Sequence, residues 1–116
     1  MNGKAIGELV QTMRTLLSPE GCPWDREQSH ASLKRYLIEE AYEVIEAIDE
    51  GEMDKLREEL GDLLLQVVFH AALSEREGYF NFNQVAETVT RKMINRHPHV
   101  FANMDLKTSS EVLENW

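Results

Sequence analysis

Apolar residues recur along this chain at spacings of three and four, and no segment alternates apolar and polar in the period-two manner of a strand. Ile6, Leu9, Val10, Met13, Leu16 and Leu17 form one such stripe and predict a first helix over residues 4 to 17. "SPEGCPWDREQS" interrupts the pattern with Pro19, Gly21 and Pro23, and reads as a loop. Leu33, Leu37, Ala41, Val44, Ile45 and Ile48 predict a second helix from Ser29 to Glu50, ended by Gly51. A third is expected from Asp54, as N-cap, to Arg76, with Gly78 closing it. It is apolar around most of its circumference, as helices at a bundle centre or subunit interface are.

A fourth helix is expected after "GYFNFN", capped by Asn81 or Asn83 and reaching Arg96, with Val85, Ala86, Val89 and Met93 inward. Pro98 prevents it from running on. In "RHPHVF", His97 and His99 read as part of a helix stop, with Val100 and Phe101 packing back onto the bundle. "SSEVLENW" offers a short last helix with Ser109 or Ser110 as cap. The expected fold is all-α, a four- to five-helix bundle in one domain spanning residues 1 to 116.

Polar exceptions to the pattern carry the chemistry. Glu40 and Glu43 stand three apart on the second helix, and Glu59 and Asp62 three apart on the third, so each pair shares a helix face. Glu40 and Asp62 are each eleven residues from Gly51; Glu43 and Glu59 are each eight. An antiparallel hairpin at Gly51 therefore brings the four carboxylates into one layer. Glu40 falls within the apolar arc of its helix, and Glu59, Asp62 and Gln66 form a narrow polar stripe on the next. A solvated acidic face explains that stripe, but neither the position of Glu40 nor the matched register. Four converging carboxylates repel unless a cation joins them. Oxygen-only donors suit Mg²⁺, with Mn²⁺ as a substitute, and the metal site is expected between the second and third helices. Di-iron chemistry is disfavoured, since it requires Glu-x-x-His on two helices and Val67 stands three before His70. Carboxylate-held Mg²⁺ commonly serves substrate phosphates. Lys92 with Arg96, one turn apart, and Lys55 with Arg57 are the cations available to help, or else ordinary surface charges.

The net charge of −9 opposes a nucleic-acid polymer as partner. No apolar run approaches the ~20 residues of a membrane span, and no signal peptide is evident at the start. The one cysteine, Cys22, allows no internal disulfide and fits a cytoplasmic location; nothing beside it suggests a catalytic thiol.

Three stretches carry a resemblance: "GCPWDREQSHASLKRYLIEEAYEVIEAI", "LREELGDLLLQVVFHAALSEREGYFNFNQVA" and "KMINRHPHVF", together spanning roughly residues 21 to 101. With "EAYE" and "ELGD" as its two acidic pairs, the chain resembles the MazG family of nucleoside triphosphate pyrophosphohydrolases. The resemblance implies an all-α fold assembled as a homodimer or homotetramer. It implies Mg²⁺-dependent hydrolysis of nucleoside triphosphates to the monophosphate and pyrophosphate. Carried over by position, Glu40, Glu43, Glu59 and Asp62 are metal ligands, and Glu39 orients or deprotonates the attacking water. Lys55, Lys92 and Arg96 match triphosphate contacts; Trp24 and Trp116 resemble residues near the base. Many family members carry two such domains in tandem, and this chain carries one, as a short single-domain form or one domain of a longer protein would. Related readings are a phosphoribosyl-ATP pyrophosphatase or a dUTPase- or dCTPase-like enzyme. A non-catalytic helical interaction module is the reading from another class.

Overall fold

The structure is a computed structural model that describes residues 3–103, 105–114 and 116. All regular elements among them are helical: α1 (Lys4–Leu17), α2 (Pro23–Arg26), α3 (His30–Glu50), α4 (Met53–Arg76), α5 (Phe82–Arg96), α6 (Pro98–Phe101) and α7 (Ser109–Glu114). The chain divides into two compact units, Met1–Phe82 and Asn83–Trp116.

In the first unit, α3 and α4 form an antiparallel hairpin and α1 packs against α4. Ser29 starts α3 through a reciprocal capping box with Ser32, in which each hydroxyl accepts from the other residue's backbone N–H. Gly51 ends α3 in the left-handed region at φ 70°, where a glycine has no Cβ to clash. α4 begins at Met53 with Glu52 in the cap position and no side-chain cap, so the expected capping role of Asp54 is not realised. Gly78, also left-handed at φ 82°, turns the chain after α4 as expected.

The core joins Met13 and Leu17 of α1, Leu33 of α3, and Val68, Phe69, Ala72 and Leu73 of α4. It lies at the end of the hairpin remote from Gly51. α4 is therefore buried over its C-terminal half, while Leu60, Leu64 and Val67 nearer its start are exposed. The inward line of α3 also differs from the expected arc. Leu33 and Ala47 are buried and Tyr36, Glu40 and Val44 half-buried, whereas Leu37, Ile45 and Ile48 are exposed. Glu40 thus stands in line with the packed residues of its helix, between Tyr36 and Val44.

The segment expected as a plain loop before α3 holds the one-turn helix α2, with Pro23 at its first position, where the missing N–H costs nothing. The loop closes tightly on α1: the Cys22 N–H donates to the Leu16 carbonyl at 2.8 Å. A Cβ on Gly21 would lie 2.1 Å from the Leu16 oxygen, so this residue must be glycine.

In the second unit, α5 starts directly after Asn81, and Val85, Ala86 and Met93 are half-buried while Val89 is exposed. Pro98 stops α5 but also opens α6. Val100 and Phe101 are exposed rather than packed back. The cap of α7 is Thr108, whose hydroxyl accepts from the Glu111 N–H at 3.2 Å; Ser109 and Ser110 lie inside the helix.

Candidate metal centre

The hairpin register places acidic side chains of α3 and α4 against one another. Glu40, Glu59 and Asp62 each offer an oxygen atom, and the three lie within 4.8 Å of one another. Glu43 is outside that tight group, but its charge acts on both Glu40 and Glu59. The Glu40 carboxyl is pushed above its ordinary range by partial burial first, then by the charges of Asp62, Glu43 and Glu39. Glu59 is pushed up likewise, by loss of water first and then by Glu43, Asp62, Glu40 and Glu58. Each carboxylate thus raises the pKa of its neighbours, so the cluster concentrates negative charge between the two helices.

The donor set fits a hard divalent cation. It contains only carboxylate oxygens, supplied from two facing helices, with neither thiolate nor imidazole. One turn beyond Asp62, Gln66 is buried and its Oε1 has no hydrogen-bond partner. The polar stripe of α4 therefore continues inward from the carboxylates. Gly61, between Leu60 and Asp62, marks no close helix approach; a Cβ there would meet nothing within 4 Å.

The remaining expected site residues are distributed as follows. Glu39 is exposed and 4.0 Å from the Arg35 guanidinium. Lys55 spans the Gly51 turn to pair with Glu50 at 3.0 Å, and that carboxylate raises its pKa. Trp24, on α2, meets the ring of Tyr36 edge-on at 5.9 Å, and Tyr36 is one turn before Glu40 on α3. Lys92, Arg96 and Trp116 belong to the second unit. There the Arg96 guanidinium lies 5.6 Å from the centre of the Trp116 ring, and His97 meets the same ring edge-on. Lys92 is exposed one turn before Arg96.

Sequence reasoning missed a further juxtaposition. The His30 and His70 Nδ1 atoms are 2.7 Å apart, and Ser74 Oγ is 3.3 Å from His30 Nε2. The signal was available, because the two histidines are 21 and 19 residues from Gly51, nearly level in the hairpin.

The fold and site define a class, that of all-α domains with a carboxylate cluster between antiparallel helices that could hold a metal ion. The comparisons narrow it. Residues 28–101 match the family described as the MazG nucleotide pyrophosphohydrolase domain, and the chain belongs to that family. It is 59% identical over 101 residues to the nucleoside triphosphate pyrophosphohydrolase/pyrophosphatase MazG of Thermotoga maritima, covering 87% of this chain and 40% of that protein. It is 49% identical over 112 residues to the nucleoside triphosphate pyrophosphohydrolase of Escherichia coli K12, covering 96% and 43%. The crystal structure of a MazG-related protein from Thermotoga maritima superposes with a TM-score of 0.76 at 27% identity, covering 95% of this chain and 94% of that one. The chain spans less than half the length of these two curated relatives. No helix among the described residues is long and apolar enough to cross a membrane.

Proposed function

We propose that this domain hydrolyses nucleoside triphosphates to the monophosphate and pyrophosphate with Mg²⁺ bound by Glu40, Glu43, Glu59 and Asp62. The observation that carries this reading is the convergence of Glu40, Glu59 and Asp62 within 4.8 Å. Family membership supports the reaction class. When bound, Mg²⁺ supplies charge neutralisation at the phosphates and acidifies a coordinated water.

The chain's own residues do the rest. Ionised Glu40 and Glu59 hold negative charge at the layer, at an electrostatic cost that a divalent cation offsets. Glu39 orients the attacking water from the outer edge of the cluster. Lys55, Lys92 and Arg96 serve the triphosphate, and Trp24 and Trp116 the base, through its π-face. Contacts of this kind read little of the base edge, so several bases are accepted.

The partner we propose for α3 and α4 is a second copy of the chain. Ile38, Tyr42 and Ile45 of α3, and Leu60, Leu64 and Val67 of α4, are exposed at spacings of three and four. Such a continuous apolar face is characteristic of an interface. Equilibrium sedimentation tests it: dimer or tetramer is expected, and Ile45→Lys shifts the population toward monomer.

The reaction is tested with a panel of ribo- and deoxyribonucleoside triphosphates at defined Mg²⁺, with both products identified. Monophosphate with pyrophosphate supports the reading. Diphosphate with orthophosphate, or no metal-dependent hydrolysis and no metal-dependent stabilisation, overturns it. The last outcome favours a helical interaction module.

A further inference from the structure

A second site is built at the opposite end of the hairpin from Gly51. Here the loop after α1, α2 and the end of α4 border an open cavity of about 610 Å³, lined by Leu17, Pro19, Pro23, Arg26, Glu27 and Arg76, with Ser18. That volume lies within the range of small-ligand sites. Arg76 is fourteen residues beyond Asp62 on α4, about 21 Å along the helix axis. The cavity is therefore separate from the carboxylate layer.

Its charge is unusual for an acidic chain. Two guanidiniums line it, and no carboxylate among the described residues pairs with either. Each is instead held by one backbone carbonyl. Arg26 Nη1 donates to the Pro19 carbonyl at 3.0 Å, and Arg76 Nη1 donates to the Arg26 carbonyl at 3.2 Å. A guanidinium has five N–H donors, so most remain for a ligand. The wall is fixed by the Gly21 and Cys22 backbone bonds, at 2.8 Å each, that clamp the loop to the end of α1. Leu17 and the two proline rings give an apolar side. Glu27 adds one carboxylate.

We propose that this cavity binds the phosphate group of a small molecule between Arg26 and Arg76, the geometry for which arginine forks are suited. The rest of the ligand lies against Leu17, Pro19 and Pro23. Glu27 repels bare phosphate but accepts a hydrogen bond from a ligand hydroxyl. An organic phosphate with hydroxyl groups thus binds more tightly than inorganic phosphate. This site and the proposed hydrolysis stand or fall independently.

The test is a ¹H–¹⁵N NMR titration of the full chain in EDTA, with inorganic phosphate and ribose 5-phosphate as probes and chloride at equal ionic strength as control. Saturable shifts are expected at the Gly21 amide, the Arg26 Nε–H and the Arg76 Nε–H, with ribose 5-phosphate the tighter probe. Arg26→Gln and Arg76→Gln should each weaken it by ~10-fold, the effect of one charge-assisted pair. Glu27→Gln should strengthen inorganic phosphate binding, and Asp62→Asn should leave both probes unaffected. Absence of saturable shifts in the wild-type chain overturns the proposal. So does binding that survives both arginine substitutions, or binding that Asp62→Asn abolishes. The wild-type titration decides the matter even if an arginine variant does not fold.

Discussion

His30 and His70 face each other across α3 and α4 with their Nδ1 atoms 2.7 Å apart and their ring planes 6° from parallel. At that distance one Nδ1 donates and the other accepts. The contact therefore holds a single proton between the two Nδ1 atoms. His70 Nε2 is buried without a partner, and burial first, then the neighbouring His30, lowers the His70 pKa from 6.5. A base whose pKa is depressed by folding binds fewer protons folded than unfolded. Stability present above pH 6.5 is thus lost as pH falls from there through the lower folded value. NMR titration should place His70 below 6.5, with His30→Gln moving it part of the way back. A His70 that titrates at or above 6.5 contradicts this arrangement.

The glycines separate by environment. Gly21→Ala drives a Cβ into backbone oxygens of Leu16 and Thr15, at 2.1 and 2.4 Å, neither of which is free to move aside. A loss of about 3 kcal/mol is expected. Gly61→Ala meets nothing, lies inside α4, and should gain about 1 kcal/mol from helix propensity. Urea denaturation of both variants checks the pair; opposite signs are required.

Much of this was legible because helical period and helix punctuation are local. Ser29 and Gly51 fix the ends of α3, and with them the register that carries Glu40 toward Asp62 and Glu59. What the pattern did not reveal depends on neighbours. Leu37, Ile45 and Ile48 are apolar at helical spacing, yet nothing in the first unit covers them. Periodicity reports that a face is apolar, not what it meets. The one-turn helices α2 and α6 are too short for any period, and their prolines read equally as breakers or as first-turn residues. Lys55 likewise takes a partner that no period reports, pairing with Glu50 across the Gly51 turn.

The acidic layer should destabilise the metal-free domain. A carboxyl whose pKa is raised by folding binds more protons folded than unfolded, so stability falls as pH rises above 4.5 toward the higher folded value. Glu40→Gln removes that repulsion. In EDTA at neutral pH the variant should match or exceed the wild type, by up to about 1 kcal/mol given the partial exposure of Glu40. Added Mg²⁺ should raise the wild-type melting temperature more than that of the variant, reversing or narrowing the order. A variant less stable than wild type in EDTA contradicts the repulsion described at this site.

The most direct measurement is Mg²⁺-dependent pyrophosphate release by the wild type and by Asp62→Ala, with circular dichroism establishing that both are folded. The wild type should yield nucleoside monophosphate and pyrophosphate, and Asp62→Ala should lose activity on the order of 100-fold or more, the scale of removing one electrostatic element of a preorganised site. A folded Asp62→Ala that hydrolyses at the wild-type rate would show that the α3–α4 carboxylates are not where the chemistry occurs.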